Sequence, residues 1–118
     1  MKMEVSKDFS FEAAHSLPHL PEGHKCRNKH GHSYRIRVCC CGDVDSRFGW
    51  VVDYADIAAA VDPVIAMLDH HDLDAFLSPS TAEKLSAFLW ECVKPKLPSL
   101  FYVEVYETAS TCVRYLGE

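Results

Sequence analysis

The sequence lacks a basic excess, a paired-cysteine motif and any long apolar run, and each absence removes a class of function. Its 12 Lys and Arg against 17 Asp and Glu leave a formal charge of −5. A general nucleic-acid binder needs a basic surface to neutralise phosphates, so no nucleic-acid partner is expected. No stretch approaches the roughly 18 apolar residues of a membrane span, and Met1 to Asp8 holds no apolar core of signal-peptide length. A cytoplasmic protein with no membrane partner is the expectation. None of the six cysteines forms a Cys-x-x-Cys pair, which leaves zinc-finger and thioredoxin-like readings without support. Cys39, Cys40 and Cys41 are consecutive and read as reduced strand residues, not as a disulfide framework. No internal repeat or low-complexity tract is visible. With 118 residues, 48% of them hydrophobic, the chain fits one domain spanning 1–118.

What is present is histidine in a useful pattern. Cys26-Arg27-Asn28-Lys29-His30-Gly31-His32 runs directly into an alternating stretch, Tyr34 to Cys40, that reads as a strand. If His30 and His32 open that strand, its period of two sends both imidazoles to one face, with Cα atoms roughly 6 to 7 Å apart. A His-x-His pair alone is more often hydrogen-bonded or solvated than metal-bound. His15 changes the balance, because it ends the run Phe9, Phe11, Ala13, His15 and so shares the core face of its own strand. An antiparallel partner brings it beside the other two. Three nitrogen ligands leave one position open on zinc, the arrangement of catalytic sites.

In chain order, a strand is expected over 3–15, a loop over 16–29, a second strand over about 31–41, and a short strand over Trp50 to Asp53 after the turns at Gly42 to Asp45 and Phe48-Gly49. Asp53 can cap a helix carrying Ile57, Val61, Val64, Ile65 and Leu68, with a kink at Pro63. A second helix begins after Pro79, with Ser80 and Glu83 matching the S-x-x-E capping box and Leu85, Phe88, Leu89 and Cys92 forming its apolar stripe. Pro95 and Pro98 stop it. Phe101 to Glu107 and Thr111 to Leu116 read as a hairpin joined by Thr108-Ala109-Ser110. The fold class is therefore α+β, an antiparallel four-stranded sheet with two helices on one face. The other face is expected to carry apolar residues and to drive subunit association.

Several further side chains can do chemistry, and each has a plainer reading. Cys26 sits among His24, Lys25, Arg27 and Lys29, which favour its thiolate; it is a fourth metal ligand, a base, or a free thiol. Asp69-His70 pairs a carboxylate with an imidazole, or His70 and His71 simply end a helix favourably. Glu107 continues the stripe Val103, Val105 and needs a partner, either the two parallel N–H donors of a pterin or guanine ring or a salt bridge to Arg35, Arg37 or Arg114. Glu83 is explained by its cap. Tyr54 stacks on a flat ring or packs.

Together these residues resemble the 6-pyruvoyltetrahydropterin synthase family, most closely its bacterial 6-carboxytetrahydropterin synthase branch of queuosine biosynthesis. The resemblance is carried by Phe11-Glu12-Ala13-Ala14-His15, Pro21 to Cys26, His30-Gly31-His32, Gly49 to Tyr54, Leu68 to Leu73, Thr81-Ala82-Glu83 and Glu107-Thr108. It implies a tunnelling fold, in which three sheets join into a barrel and two trimers stack into a homohexamer with sites between subunits. It assigns Zn2+ to His15, His30 and His32, a thiol base to Cys26, and an Asp-His relay to Asp69 and His70, often from a neighbouring chain. Glu107 becomes the pterin anchor, with Thr108 beside it and Tyr54 against the ring. The implied substrate is 7,8-dihydroneopterin triphosphate, cleaved to 6-carboxytetrahydropterin with loss of triphosphate and acetaldehyde. Lys25, Arg27 and Lys29 either meet the triphosphate or are solvated. Two alternatives remain: a 6-pyruvoyltetrahydropterin synthase that stops at triphosphate elimination, and a non-catalytic pterin-binding oligomer with a structural zinc.

Overall fold

A computed structural model describes all residues, 1–118. Two long strands, β1 (Lys2–His15) and β2 (His30–Asp43), form an antiparallel pair registered from Lys2 opposite Asp43 to His15 opposite His30. Alternation sends Phe11, Ala13 and His15 of β1, with Tyr34, Ile36 and Val38 of β2, to the covered face, where Phe11 and Tyr34 stack at 5.0 Å. Helix α1 (Tyr54–Leu68) follows, then a two-residue strand β3 (His71–Asp72), helix α2 (Ala82–Val93), and the hairpin β4 (Leu100–Thr108) and β5 (Thr111–Tyr115).

Helix α1 buries Ile57, Ala60, Val61, Val64 and Leu68, a stripe at helical spacing, and runs on through Pro63. Asp53 caps it as expected, its carboxylate accepting from Ala55 N at 2.8 Å. Helix α2 presents Ala82, Leu85, Ser86, Leu89 and Val93 to the same core. Both helices therefore cover one face of the sheet, and 20 buried residues form one continuous cluster between them.

Four expectations need correction. The sheet has five strands in the order β3-β1-β2-β4-β5 and is mixed, because β3 pairs parallel to β1 through Ala13 and Ala14. A two-residue strand has no periodicity to read. The segment Trp50 to Asp53 is bent, not extended. Asp45 accepts from Arg47 N and Phe48 N, Gly49 turns at φ 78°, and Trp50 O accepts from Asp45 N, so this loop closes on itself. The cap of α2 is Thr81, whose hydroxyl accepts from Lys84 N at 3.2 Å. That moves Glu83 out of capping-box register and turns Ser80 inward, where it is buried.

The uncovered sheet face supplies the fourth correction, for it is polar. Glu4, Ser6, Asp8, Ser10 and Glu12 alternate along it, exposed. Arg35 and Arg37 bind Asp8, and Arg114 binds Glu104 at 2.9 Å. The Arg37 guanidinium holds the Asp8 carboxyl below its ordinary value, against the opposing effect of partial burial. Arg35 and Arg114 lie over the Tyr106 and Tyr102 rings at 3.7 and 4.1 Å. Exposed apolar side chains gather elsewhere, with Met1, Met3, Phe48, Trp50 and Tyr54 toward the far end of the β1-β2 pair.

Two substitutions test this account of α2. Leu85→Ala removes a fully buried side chain and should cost about 2–5 kcal/mol. Thr81→Ala removes the cap and should cost about 1 kcal/mol, several-fold more than Glu83→Ala. Urea unfolding followed by circular dichroism measures all three; equal effects of Thr81→Ala and Glu83→Ala would contradict the cap.

Candidate metal centre

The inward-facing ladder of β1 and β2 ends in histidine. Ala13 faces His32 and His15 faces His30 across the strands, so the alternation that builds the core also places three imidazoles on its rim. Their ring centroids lie 4.6, 4.9 and 5.1 Å apart, and one nitrogen from each falls within 4.8 Å of the others. His15 is fully buried, while His30 and His32 are partly exposed. The three residues expected to hold a metal are thus brought together, from two strands.

The hydrogen bonds decide which nitrogens face inward. His15 Nδ1 lies 2.7 Å from the Ser80 carbonyl and His30 Nδ1 lies 2.8 Å from the Asn28 carbonyl. A carbonyl only accepts, so both Nδ1 atoms carry the proton and donate. In the neutral rings the two Nε2 atoms are then bare, and they stand 3.0 Å apart. Two lone pairs at that distance repel, and only a cation between them, a proton or a metal ion, relieves the contact. His32 Nε2 is buried and makes no well-aligned hydrogen bond, although a Glu107 carboxylate oxygen lies 3.1 Å from it. Burial pushes the His32 imidazole below its ordinary value, His15 and His30 add to that, and Glu107 opposes it. This donor set fits a divalent cation: three neutral imidazoles, two of them oriented by backbone carbonyls.

The remaining candidates are arranged unevenly. Glu107 extends the Val103, Val105 stripe as expected and reaches the cluster, its Oε1 3.1 Å from His32 Nε2 and 3.5 Å from His15 Nε2. It makes no ion pair with arginine, because Arg35, Arg37 and Arg114 are committed to Asp8 and Glu104. A cavity of about 210 Å³ adjoins it, lined by Ala82, Glu83, Val105, Thr111, Cys112 and Val113. Glu83, freed from the cap, therefore opens onto the same space, which spacing alone did not indicate. Thr108 sits at the hairpin turn with its hydroxyl 2.7 Å from that of Thr111.

Cys26 lies in a short helical turn, Lys25–Arg27, half-buried and outside the three-histidine cluster. Its loop is pinned by Leu17 N donating to Cys26 O at 2.8 Å and by Arg27 donating to the carbonyls of Pro18 and Leu20. Arg27 and Lys29 are thereby occupied, Lys29 by Asp72 and Asp74, which leaves Lys25 as the unpaired cation of that loop.

Asp69 and His70 do pair, at 3.0 Å, but away from the cluster. They lie along the outer edge of β1, where Glu12 N donates to Asp69 Oδ1 and His70 N donates to Glu12 O. His70 adopts φ 59°, an uncommon backbone state for a residue other than glycine, and its ring is 79% exposed. The Glu12 backbone holds the Asp69 carboxyl below its ordinary value, with His70 adding to the effect. Tyr54 is farther still. It shares a cavity with Met3 and Val5, on the order of 30 Å along β1 from His15.

Comparison with known proteins follows the same outline. The model of the family described as 6-pyruvoyl tetrahydropterin synthase matches residues 4–118. The chain belongs to this family. It is 42% identical over 122 residues to the 6-carboxy-5,6,7,8-tetrahydropterin synthase of Synechocystis sp., covering 96% of this chain and 92% of that protein. It is 33% identical to the human 6-pyruvoyl tetrahydrobiopterin synthase, over 98% and 92% of the two chains. The solved structure of the Caenorhabditis elegans 6-pyruvoyl tetrahydropterin synthase superposes with a TM-score of 0.90 at 28% identity, over 100% of this chain and 97% of that one. This family member contains no helix long and apolar enough to cross a membrane.

Titration of metal-free protein with Zn2+ should give one ion per chain, and His15→Ala, His30→Ala or His32→Ala should each abolish tight binding. Because the ligands must be neutral, protons compete with the metal and affinity should be lower in acid. Burial holds His32 below the ordinary imidazole value of 6.5, so its own competition sets in below that pH. Calorimetry at pH 7.5 and 5.5 measures both. Undiminished binding by the single variants would remove the centre from these residues.

Proposed function

We propose that this chain is a zinc-dependent carbon-oxygen and carbon-carbon lyase. It converts 7,8-dihydroneopterin triphosphate and one water to 6-carboxytetrahydropterin, triphosphate and acetaldehyde, in the queuosine (7-deazaguanine) pathway of the cytoplasm. The observation that carries the reading is the trio of Nε2-type donors at the rim of the core, oriented for a cation and joined by Glu107. The higher identity to a 6-carboxytetrahydropterin synthase than to the human pyruvoyl enzyme favours this branch.

His15, His30 and His32 would hold the zinc, which supplies Lewis-acid polarisation of the substrate's side-chain oxygens when bound. Glu107 accepts two parallel N–H bonds from the aminopyrimidine ring and fixes the pterin in the adjoining cavity, with Thr108 at its edge. Cys26 removes a proton from the side chain presented at the cluster. His70, oriented by Asp69, moves a second proton, and Tyr54 packs against the ring.

Within one chain the dyad lies on the outer edge of β1 and Tyr54 at the far end of that strand, neither in the cluster, and neighbouring copies supply them. Both sheet edges support association: β3 covers only two residues of β1, and β5 has no outer neighbour. Three sheets joined at these edges close a barrel, and two such trimers give the hexamer.

Product analysis separates the alternatives. Incubation with dihydroneopterin triphosphate should yield acetaldehyde and 6-carboxytetrahydropterin; triphosphate loss without acetaldehyde points to the pyruvoyl reaction. Cys26→Ala should lower turnover by ~10²-fold or more while zinc stays bound. Zinc loss in that variant would point to a structural site in a pterin-binding oligomer. Light scattering should give six chains per particle, and a monomer would sink the shared-site arrangement.

A further inference from the structure

The hairpin ladder ends at the pair of residues whose geometry matters most. His15 is the last residue of β1 and His30 the first of β2, and beyond them the backbone enters the 16–29 connection with no further strand pairing. Strand ends fray unless something ties them. Three neutral imidazoles serve a cation only when their nitrogens are held at tetrahedral spacing, roughly 3.3 Å for metal-nitrogen bonds of about 2.0–2.1 Å. The ladder alone does not supply that constraint at its own terminus.

A single carboxylate does. Asp74 Oδ2 accepts from Ser16 N at 3.1 Å, Ser16 Oγ at 2.6 Å and Lys29 Nζ at 2.5 Å, while Oδ1 accepts from Ser80 Oγ at 2.5 Å. Ser16 follows His15 in the chain, Lys29 precedes His30, and the Ser80 carbonyl receives the proton of His15 Nδ1. Every partner of Asp74 is therefore one covalent or one hydrogen-bonded step from a ligand. The carboxylate is itself anchored: Asp72 Oδ1 accepts from Asp74 N at 3.0 Å, Leu73 is fully buried, and His71 and Asp72 pair with β1.

We propose that Asp74 is a positioning residue for the metal centre, clamping the ends of the two ligand-bearing strands and the carbonyl that selects the His15 tautomer. The proposal rests on His15, His30 and His32 being the metal ligands. It is distinct from an ordinary surface ion pair with Lys29, which is 48% exposed. In the clamp Ser16 and Ser80, both part-buried contacts, hold the His15 side, and the half-exposed Lys29 is the one tie on the His30 side.

The variants Asp74→Ala, Asp74→Asn and Lys29→Ala, each with all three histidines intact, are compared with the native chain by Zn2+ affinity, by the visible spectrum of the Co2+-loaded protein, and by thermal stability without metal. Asp74→Ala should weaken Zn2+ binding about 10- to 100-fold and alter the tetrahedral Co2+ bands. Asp74→Asn should fall between that and the native chain, and Lys29→Ala should stay within a few-fold. Native affinity and native Co2+ bands in a folded Asp74→Ala protein overturn the proposal, as does a loss in Lys29→Ala equal to that in Asp74→Ala. Should Asp74→Ala not fold, Asp74→Asn carries the test, with about 10-fold weaker binding expected and unchanged binding overturning it. A native chain that takes up no Zn2+ would overturn the metal reading itself, a result distinguishable because it appears before any substitution.

Discussion

The repulsion between two imidazole nitrogens organises the functional end of this protein. His15 and His30 each spend their Nδ1 proton on a backbone carbonyl, and the Nε2 lone pairs left behind face one another at 3.0 Å. Nothing in the fold relaxes that contact, because both rings continue the ladder that carries Phe11, Tyr34 and Ile36 into the core. Turning either ring away would break its Nδ1 hydrogen bond to a backbone carbonyl. The same periodicity that buries the apolar side chains therefore stores an arrangement that only a cation satisfies. Stability and function are coupled through register.

This coupling explains what could be read from the sequence and what could not. A period of two in Phe9, Phe11, Ala13, His15 and in His30, His32, Tyr34, Ile36 is a local signal, so the two long strands, the shared face and the convergence of three histidines were legible. Helix α1 was legible for the same reason, together with its Asp53 cap. Strand β3 was not, because two residues carry no period and its pairing with Ala13 and Ala14 is a tertiary event. The α2 cap was misassigned by one residue, since Ser80 and Thr81 both offer hydroxyls and only the pull of Asp74 and His15 on Ser80 separates them. Trp50 to Asp53 looked extended because its apolar residues cover the rim of the core. The Asp45 carboxylate and Gly49 instead wind that segment into a closed loop.

The candidate reactive groups divide into two sets that one chain does not unite. His15, His30, His32 and Glu107 meet at the end of β1, whereas Asp69 and His70 hang on its outer edge through the backbone of Glu12. A residue's position on a strand determines its face, and its position on the sheet determines its edge. The sequence order Asp69-His70 discloses neither, which is why the pairing is readable and its place outside the three-histidine cluster is not. The left-handed backbone at His70 turns the chain from the end of α1 into β3, with Asp69 N donating to Ile65 O and His70 N to Glu12 O.

The polar face of the sheet changes how association has to be understood. An apolar face would have driven copies together by burial, but Asp8, Arg35, Arg37, Glu104 and Arg114 saturate one another across the strands, and the arginines also cover Tyr102 and Tyr106. Such a surface tolerates water and gains little from being stacked on a like surface, since its charges already have partners. What remains unsatisfied lies in the sheet plane: backbone donors and acceptors along the outer sides of β1 and β5, and an apolar cluster of Met3, Trp50 and Tyr54 at one end. In the trimer proposed above, edge-to-edge joining would use all of these and leave the charged face to water. It would also carry Tyr54 and the Asp69-His70 pair to the margins of a neighbour. Hydrogen-bond satisfaction at the edges and completion of the proposed reactive set would thus be met by one and the same assembly.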